Sequence, residues 1–326
     1  MEKIQSQSRN LGVKRVLCYI VLVLLAIISL FPFYIMIINC TRSHMQIQLG
    51  FSALPGASFI RNFVNLAIDK NTDSAYWQNV LQKYGVALSS KTGNYAENYP
   101  ILKGMFNSVI IATLTACFTT YFSAMTSYGI YMYNFKGKGF AFKFIMAVMM
   151  VPTQVSTLGF LRLLTKLGLM NNYIGLIVPS IAAPVVFFYM YQSMEATLPY
   201  SIVEAARVDG CNEFRTFNKI VIPMMKPAIA VQAIFSFVSS WNNYFIPALV
   251  ISSKSKWTVP IVIANARNAD YLNNDQGINY MLMTLAIIPL MIVYFCLSRY
   301  IIAGSTAGGV KEYFKKSYLL DNRLFY

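Results

Sequence analysis

The chain has 326 residues, of which 56% are hydrophobic and only 12% are charged, and its mean hydropathy is +0.50. Because soluble domains average about 25% charged residues, this composition excludes an ordinary soluble protein and predicts a membrane protein. The net charge of +15 comes from Lys and Arg spread over the ends and short loops, with no basic helix. It therefore favours a positive-inside membrane topology over nucleic-acid binding.

Cysteine and histidine usage argues against metal or nucleophilic chemistry. The five cysteines are scattered without a CxxC pair, and His44 is the only histidine. A metal site or a His-based catalytic triad needs several such side chains together. We therefore predict no metal site and no catalytic residues.

The first elements in chain order are a basic leader and one long apolar run. Residues 1–15 are polar and basic, which predicts a cytoplasmic N-terminal segment. Residues 16–39 are long enough to cross about 30 Å of hydrocarbon and lack a small-x-small cleavage site. They are predicted to form a retained first transmembrane helix. Residues 40–102 are polar and rich in turn signals, and are predicted to be a long extracellular loop.

A five-helix core is predicted for residues 103–304. The second, third and fourth spans are predicted at residues 105–133, 142–161 and 173–194, and the fifth and sixth at 227–251 and 280–303. Pro152, Pro179 and Pro184 predict bends, because neighbouring helices must bind the backbone groups that proline frees. Residues 305–326 are predicted to be a cytoplasmic tail, so six transmembrane helices place both termini in the cytoplasm.

Charge is almost absent from the predicted spans, and Lys143 lies near the end of one. Ion-coupled carriers usually bury a charged side chain for the ion, so this pattern disfavours an ATP-independent channel or secondary carrier. No phosphate-binding GxxxxGK[ST] loop occurs, so this chain is not predicted to bind ATP. An intramembrane enzyme would need convergent carboxylates. Glu204, Asp209 and Glu213 do cluster, but capping and turn geometry explain them more simply.

A polar segment at residues 199–223 interrupts the apolar runs and is predicted to form two short helices. Ser201 with Glu204 predicts a capping box, Gly210 a turn, and Asn212 a second cap. The spacing of Phe214, Phe217 and Ile220 predicts one apolar side on the second helix, which Pro223 would end.

This segment resembles the EAA loop of ABC importer permeases. Glu204-Ala205-Ala206, Gly210 and Ile220-Val221-Ile222-Pro223 match its spacing, with Ile222 where Leu is usual. Trp241-Asn242-Asn243-Tyr244-Phe245-Ile246-Pro247 resembles a segment of the fifth helix of carbohydrate permeases. Thr306-Ala307-Gly308-Gly309-Val310-Lys311 resembles the ending of MalG-type subunits, which have Ala at the position of Gly309. The family usually lacks so long a first external loop and the extra residues 313–326.

The resemblance implies an all-α membrane protein with the type I ABC importer (MetI-like) permease fold. Its expected partners are a second permease in a heterodimer, two cytoplasmic ATPase subunits and an extracellular solute-binding protein in a bacterial cell membrane. ATP and Mg are expected on the ATPase and no cofactor in this chain. The residues expected to couple to the ATPase are Glu204, Ala205, Ala206, Asp209, Gly210 and Pro223.

The expected substrate is a sugar, most simply an oligosaccharide. Sugars present hydroxyls and apolar ring faces, which suit amide and aromatic side chains. The candidate substrate-pathway residues are Trp241, Asn242, Asn243, Tyr244 and Gln154, with Thr153 as a supplement. Trp and Tyr also anchor helices at membrane interfaces, and Asn also joins helices, so a structural role stays open. A non-sugar solute carried by the same superfamily is the main alternative.

Overall fold

A computed structural model describes residues 2–67, 79, 99–268, 275–296 and 298 of the chain. The described residues contain helices and turns but no strand. The chain divides into two compact units. One comprises Met1–Tyr99 and Asn265–Leu285, and the other comprises Pro100–Ala264 and Ala286–Tyr326. Nearly half of the predicted extracellular loop (residues 68–78 and 80–98) and the predicted tail at 305–326 lie outside the described residues.

The first unit is built on one long helix. Helix α1 (Glu2–Cys40) contains the predicted first span, and α2 (His44–Gln48) and α3 (Phe59–Ala67) follow. A capping box at Ser43 starts α2, because its side chain accepts from the Gln46 amide while the Gln46 side chain accepts from the Ser43 amide.

Buried polar groups hold this unit together. Asn62 is fully buried, and its side-chain amide donates to the carbonyls of Cys40 and Arg42, each at 2.9 Å. Arg61 pairs with Asp275 at 3.3 Å. A side chain on Gly277 would lie 2.6 Å from the Arg42 carbonyl, so only glycine fits there. The turn after α1 is therefore held by the hydrogen bonds from Asn62 and by the close approach of Gly277.

The second unit begins with α4 (Ile101–Met132), a 32-residue helix. Helices α5 (Lys138–Met149) and α6 (Thr153–Lys166) follow, separated by a break at Pro152. Helix α7 (Ile174–Ile177) continues as a 3₁₀ turn (Val178–Ile181), and α8 (Pro184–Thr197) completes the first half.

The second half carries the polar segment and two further long helices. Its elements are α9 (Tyr200–Val208), α10 (Glu213–Thr216), a π-helical turn (Phe217–Val221), α11 (Ile222–Met224), α12 (Lys226–Asn242), α13 (Phe245–Val250), a 3₁₀ turn (Lys254–Lys256), α14 (Val259–Arg267) and α15 (Gln276–Cys296).

Within the described part of the chain, four helical stretches are long and apolar enough to cross a membrane: Arg15–Cys40, Ile101–Met132, Ile174–Thr197 and Gln276–Cys296. The predicted third span is two helices, since α5 and α6 meet at 103°. The segment before the predicted fifth span also bends, by 82° between Glu213–Met224 and Lys226–Asn242. The number of spans reaches six if each bent pair counts as one span, so the six-helix topology stays a prediction.

Helix α4 is the centre of the second unit and packs along α8 and α12. Its hydroxyl groups bind carbonyls at the break before α8: Thr119 donates to Ser180 at 3.0 Å, and Ser127 donates to Phe187 at 2.9 Å. In a regular helix the Ser180 carbonyl would accept from residue 184, but Pro184 has no N–H. Thr119 therefore replaces the hydrogen bond that proline removes, as the sequence predicted in general terms.

Candidate functional site

The first helix of the polar segment begins two residues before the position that its capping signal predicted. Pro199 takes the N-cap position, and no side chain caps α9. The prediction that Ser201 caps this helix is therefore wrong. The reason lies in Tyr200, whose ring stacks on Tyr131 at 4.7 Å and whose hydroxyl donates to the Tyr131 carbonyl at 3.2 Å. These two contacts hold Tyr200 in the first turn of α9, so the helix begins before Ser201.

The turn between the two short helices matches its prediction. Gly210 has φ +77°, in the left-handed region that favours glycine, and its N–H donates to the Arg207 carbonyl at 3.0 Å. The next amide, that of Cys211, donates to the Ala206 carbonyl at 3.0 Å. The side chain of Asn212 then accepts from the Arg215 amide at 2.8 Å, which confirms the second cap.

The apolar side predicted for the second helix is different in the structure. Phe217 is buried but Phe214 is exposed, and the buried residues that follow are Val221 and Met225. After Phe217, the π-helical turn at Phe217–Val221 changes the number of residues per turn, so Val221 is buried where the prediction placed Ile220. The helix also continues past Pro223 to Met224.

A charged pair closes the loop. The Arg207 Nε donates to Glu213 Oε1 at 2.7 Å, and the Tyr128 hydroxyl donates to Glu213 Oε2 at 2.7 Å. The Arg207 guanidinium also lies 5.3 Å above the centre of the Tyr133 ring. The hydrogen bond to Glu213 raises the pKa of Arg207 above its usual value. Glu213 therefore joins both short helices to the end of α4.

Beneath the loop lies a tight apolar cluster, which includes Met190, Met194, Leu198, Val203 and Phe217. Each of these side chains is at most a few per cent exposed. The buried face of the loop is therefore seated on α4 and α8, and the loop is a formed structural element.

The opposite side of the loop is exposed and partly apolar. Val208 is 88% exposed and Phe214 is 67% exposed. Of the predicted coupling residues, Ala206 is buried, while the exposed ones are Glu204, Ala205, Asp209, Gly210 and Pro223. An exposed apolar surface with polar neighbours is typical of a protein interaction site.

A second candidate site is a cavity of about 560 Å³ inside the second unit. One wall is a polar stripe on α12, and the described lining residues include no charged side chain. The residues of the stripe are Gln232, Ser236, Ser239, Ser240 and Asn243. The lining also includes Thr115 and Thr258, whose hydroxyl oxygens are buried without a hydrogen-bond partner.

The predicted substrate-pathway residues are not gathered in this cavity. Only Asn243 is among its lining residues. Trp241 is 2% exposed, stacks on Phe237 at 5.9 Å and donates its indole N–H to the Ala286 carbonyl at 3.2 Å. Asn242 and Tyr244 are exposed at the end of α12, and Gln154 is exposed at the start of α6. The structure therefore gives Trp241 a packing role, and substrate contact by these residues stays a prediction.

The α12 stripe was missed in the sequence, although a signal was present. Its polar residues recur at i, i+4, i+7, i+8 and i+11 within an apolar helix. This is the helical period, and it marks one polar side.

Among the described residues, no group of three or more His, Cys, Asp or Glu side chains is placed to hold a metal ion.

Comparison with known proteins identifies the family. The family described as "Binding-protein-dependent transport system inner membrane component" matches residues 120–305, which contain both the loop and the cavity-lining stripe. The chain belongs to this family. It is a multi-pass membrane permease, and the resemblance found in the EAA loop is confirmed.

Individual relatives of this permease cover nearly its whole length. It is 30% identical to the arabinooligosaccharides transport system permease protein AraQ of Bacillus subtilis (strain 168), over 93% of this chain and 98% of that protein. It is 28% identical to the lactose transport system permease protein LacG of Rhizobium radiobacter, over 90% and 95% of the two chains.

The fold also matches a solved structure. A bacterial ABC transporter involved in the import of the acidic polysaccharide alginate superposes with a TM-score of 0.69, at 18% sequence identity, over 89% of this chain and 96% of that chain. This likeness confirms the predicted permease fold class.

Proposed function

We propose that this permease is one membrane subunit of an ATP-driven importer that takes up an oligosaccharide delivered by an external binding protein. The observation that carries the substrate class is the uncharged cavity of about 560 Å³. Its amide and hydroxyl lining matches the donors and acceptors of a neutral sugar.

Aromatic surface complements this hydrogen bonding. Phe160 and Phe235 also line the cavity. Apolar ring faces of a sugar pack on such side chains, while its hydroxyl edges reach Gln232, Ser236 and Asn243. The relatives named for arabinooligosaccharides and lactose support the same substrate class.

A non-sugar solute is the second candidate. The described residues that line the cavity include no Lys or Arg. An anionic solute, such as a phosphate ester or an acidic saccharide, would leave its charge unpaired in this cavity, which is costly. The lining therefore favours a neutral solute over an anionic one.

In this proposal, the free energy of ATP hydrolysis is transmitted to the permease through the loop at residues 199–223. ATPase subunits that bind its exposed surface at Val208 and Phe214 would move it when they close on ATP. The bonds of Glu213 to Arg207 and Tyr128 make the loop and α4 move together, and α4 carries one wall of the cavity through Thr115. A movement of the loop therefore changes access to the cavity.

The test is to purify the tagged chain from its native membrane and to measure ATP hydrolysis by the eluate. We expect a second permease and an ATPase to co-elute, and a neutral oligosaccharide with its binding protein to stimulate hydrolysis. If the chain elutes alone and carries flux without ATP, the importer proposal fails in favour of a channel or carrier. If an ATPase co-elutes but only non-sugar solutes stimulate it, the sugar proposal alone fails.

A further inference from the structure

The segment after α1 is an uncharged loop that folds back along the same helix. Residues 43–58, here named the return loop, lie between Arg42 and Arg61 and contain no Asp, Glu, Lys or Arg. Four large apolar side chains of this loop are 68% to 87% exposed. They are Met45, Leu49, Phe51 and Leu54. A cluster of this kind on a folded loop requires an apolar partner.

Contacts with α1 show how far the return loop extends back along that helix. The ring of Phe51 lies 6.1 Å from the ring of Phe31, and the Tyr34 hydroxyl donates to the Ala53 carbonyl. Phe31 lies nine positions before the end of α1 at Cys40. At 1.5 Å per residue, the loop reaches about 13 Å back along the helix.

The depth of these contacts follows from the length of the span. About 20 residues cross the hydrocarbon, so a span that starts after Arg15 leaves it near Ile35. Tyr34 then lies at the interface, where tyrosine is enriched, and Phe31 lies within the hydrocarbon. Phe51 contacts Phe31 and is therefore at hydrocarbon depth too.

Several polar groups at the base of the loop are bound internally, as a lipid environment favours, whereas the Gln48 side chain is exposed. The buried guanidinium of Arg42 donates to the carbonyls of Gln46 and Gly50. The Gly56 amide donates to the Thr41 hydroxyl at 2.8 Å, and the Ser58 amide donates to the Thr41 carbonyl at 2.7 Å. The Arg42 guanidinium is thus bound within the loop, and the large exposed side chains of the loop are apolar.

We propose that the return loop is a lipid-embedded wedge. Met45, Leu49, Phe51 and Leu54 insert among the acyl chains of the leaflet that surrounds the C-terminal end of α1, the outer leaflet in the predicted topology. Lipid is the occupant because the loop continues the exposed apolar surface of α1, which includes Phe31. The wedge fixes the depth of α1 on that side of the membrane.

Spin-label accessibility tests this proposal in the full chain with its co-purified subunits, reconstituted in vesicles of phosphatidylethanolamine and phosphatidylglycerol. Native cysteines are replaced, and a nitroxide is attached at Leu49→Cys or Phe51→Cys. Leu49→Cys leaves the contact between Phe31 and Phe51 intact. Phe31→Cys is the matched lipid control, and Lys136→Cys, in the exposed loop between α4 and α5, is the water control.

Oxygen concentrates in lipid, whereas a neutral nickel chelate stays in water. We expect the ratio of oxygen to nickel collision rates at 49 and 51 to equal that at 31 and to exceed that at 136 several-fold. A nickel collision rate as high as that at 136 would place the loop in water and overturn the proposal. Low rates for both reagents would also overturn it, because they would mean that a protein surface, such as the second permease, covers the loop.

Discussion

Arg207 and Glu213 are joined by a hydrogen bond of 2.7 Å across the turn at Gly210. The two residues belong to different short helices, and Glu213 also accepts from Tyr128 of α4. One carboxylate therefore ties three elements together. This relationship makes the exposed loop a rigid attachment to the transmembrane part.

The first prediction concerns that carboxylate. Glu213→Ala removes the acceptor of Arg207 and Tyr128, and we expect opening of the loop to become easier by about 1–2 kcal/mol. The estimate is small because both charged side chains are partly exposed. Amide hydrogen exchange across residues 200–216 should then be about 5 to 30 times faster. Glu195→Ala, at an exposed position of α8, should leave this exchange unchanged.

The second prediction concerns Gly210. No atom lies within 4 Å of an added Cβ, so only backbone conformation opposes substitution. Gly210→Asn should retain most uptake, and Gly210→Ala should cost about 1–2 kcal/mol of loop stability. Gly210→Pro removes the N–H that donates a hydrogen bond to the Arg207 carbonyl, and proline cannot take φ +77°. We therefore expect uptake to be lost while membrane insertion continues.

Sugar uptake and ATP hydrolysis of these variants are measured in the same vesicles. Gly129→Ala serves as the control, since an added Cβ there also meets no atom within 4 Å, and its φ is not positive. Normal uptake by Gly210→Pro would contradict the coupling role of the loop.

The third prediction concerns the break before α8. Thr119→Val leaves the Ser180 carbonyl without its side-chain donor, and we expect a loss of about 1–3 kcal/mol in unfolding free energy. Pro184→Ala supplies a new N–H near the same carbonyl. The double variant should therefore lose less stability than the sum of the two single variants. Denaturant unfolding of all four proteins provides the comparison, and strict additivity would show that the two sites are independent.

The fourth prediction concerns the polar cavity. Gln232→Leu removes hydrogen-bonding groups from the α12 wall at similar volume, and the sugar concentration for half-maximal uptake should rise about tenfold. Gln192→Leu changes an exposed residue of α8 that is not among the lining residues, and it should have no effect. Equal behaviour of the two variants would rule out the cavity as the sugar path.

The fifth prediction separates packing from substrate contact at Trp241. Trp241→Phe keeps an aromatic ring beside Phe237 but removes the donor to the Ala286 carbonyl. We expect thermal stability to fall by about 1 kcal/mol and the KM for sugar to stay unchanged. A raised KM without loss of stability would instead support the sequence-based prediction of substrate contact.

The sequence predicted local features well where one residue type decides the conformation. Gly210 and Asn212 are examples, since a left-handed turn and a helix cap each have few suitable residues. The family followed from fixed spacing around Glu204 and Gly210. These signals depend on the chain alone, and tertiary packing did not change them.

Predictions that depended on neighbouring helices were less successful. Trp241 was assigned to the substrate path because an aromatic side chain suits a sugar. The direction in which that side chain points, however, depends on which helix packs against it. The cap at Ser201 was displaced by the stacking of Tyr200 on Tyr131. The bend between α5 and α6 lies at Pro152, as the sequence predicted, but its size of 103° depends on packing that the sequence does not show.

The π-helical turn at Phe217–Val221 has a consequence for how this region tolerates sequence change. Phe217, Val221 and Met225 are buried at intervals of four residues. In a regular α-helix each such interval over-rotates by about 40°, so the three side chains would drift around the axis. The wider turn compensates for this rotation between Phe217 and Val221. Insertion or deletion of a single residue here would rotate the side chains that follow away from their buried positions. This stretch should therefore accept changes of residue type more readily than changes of length.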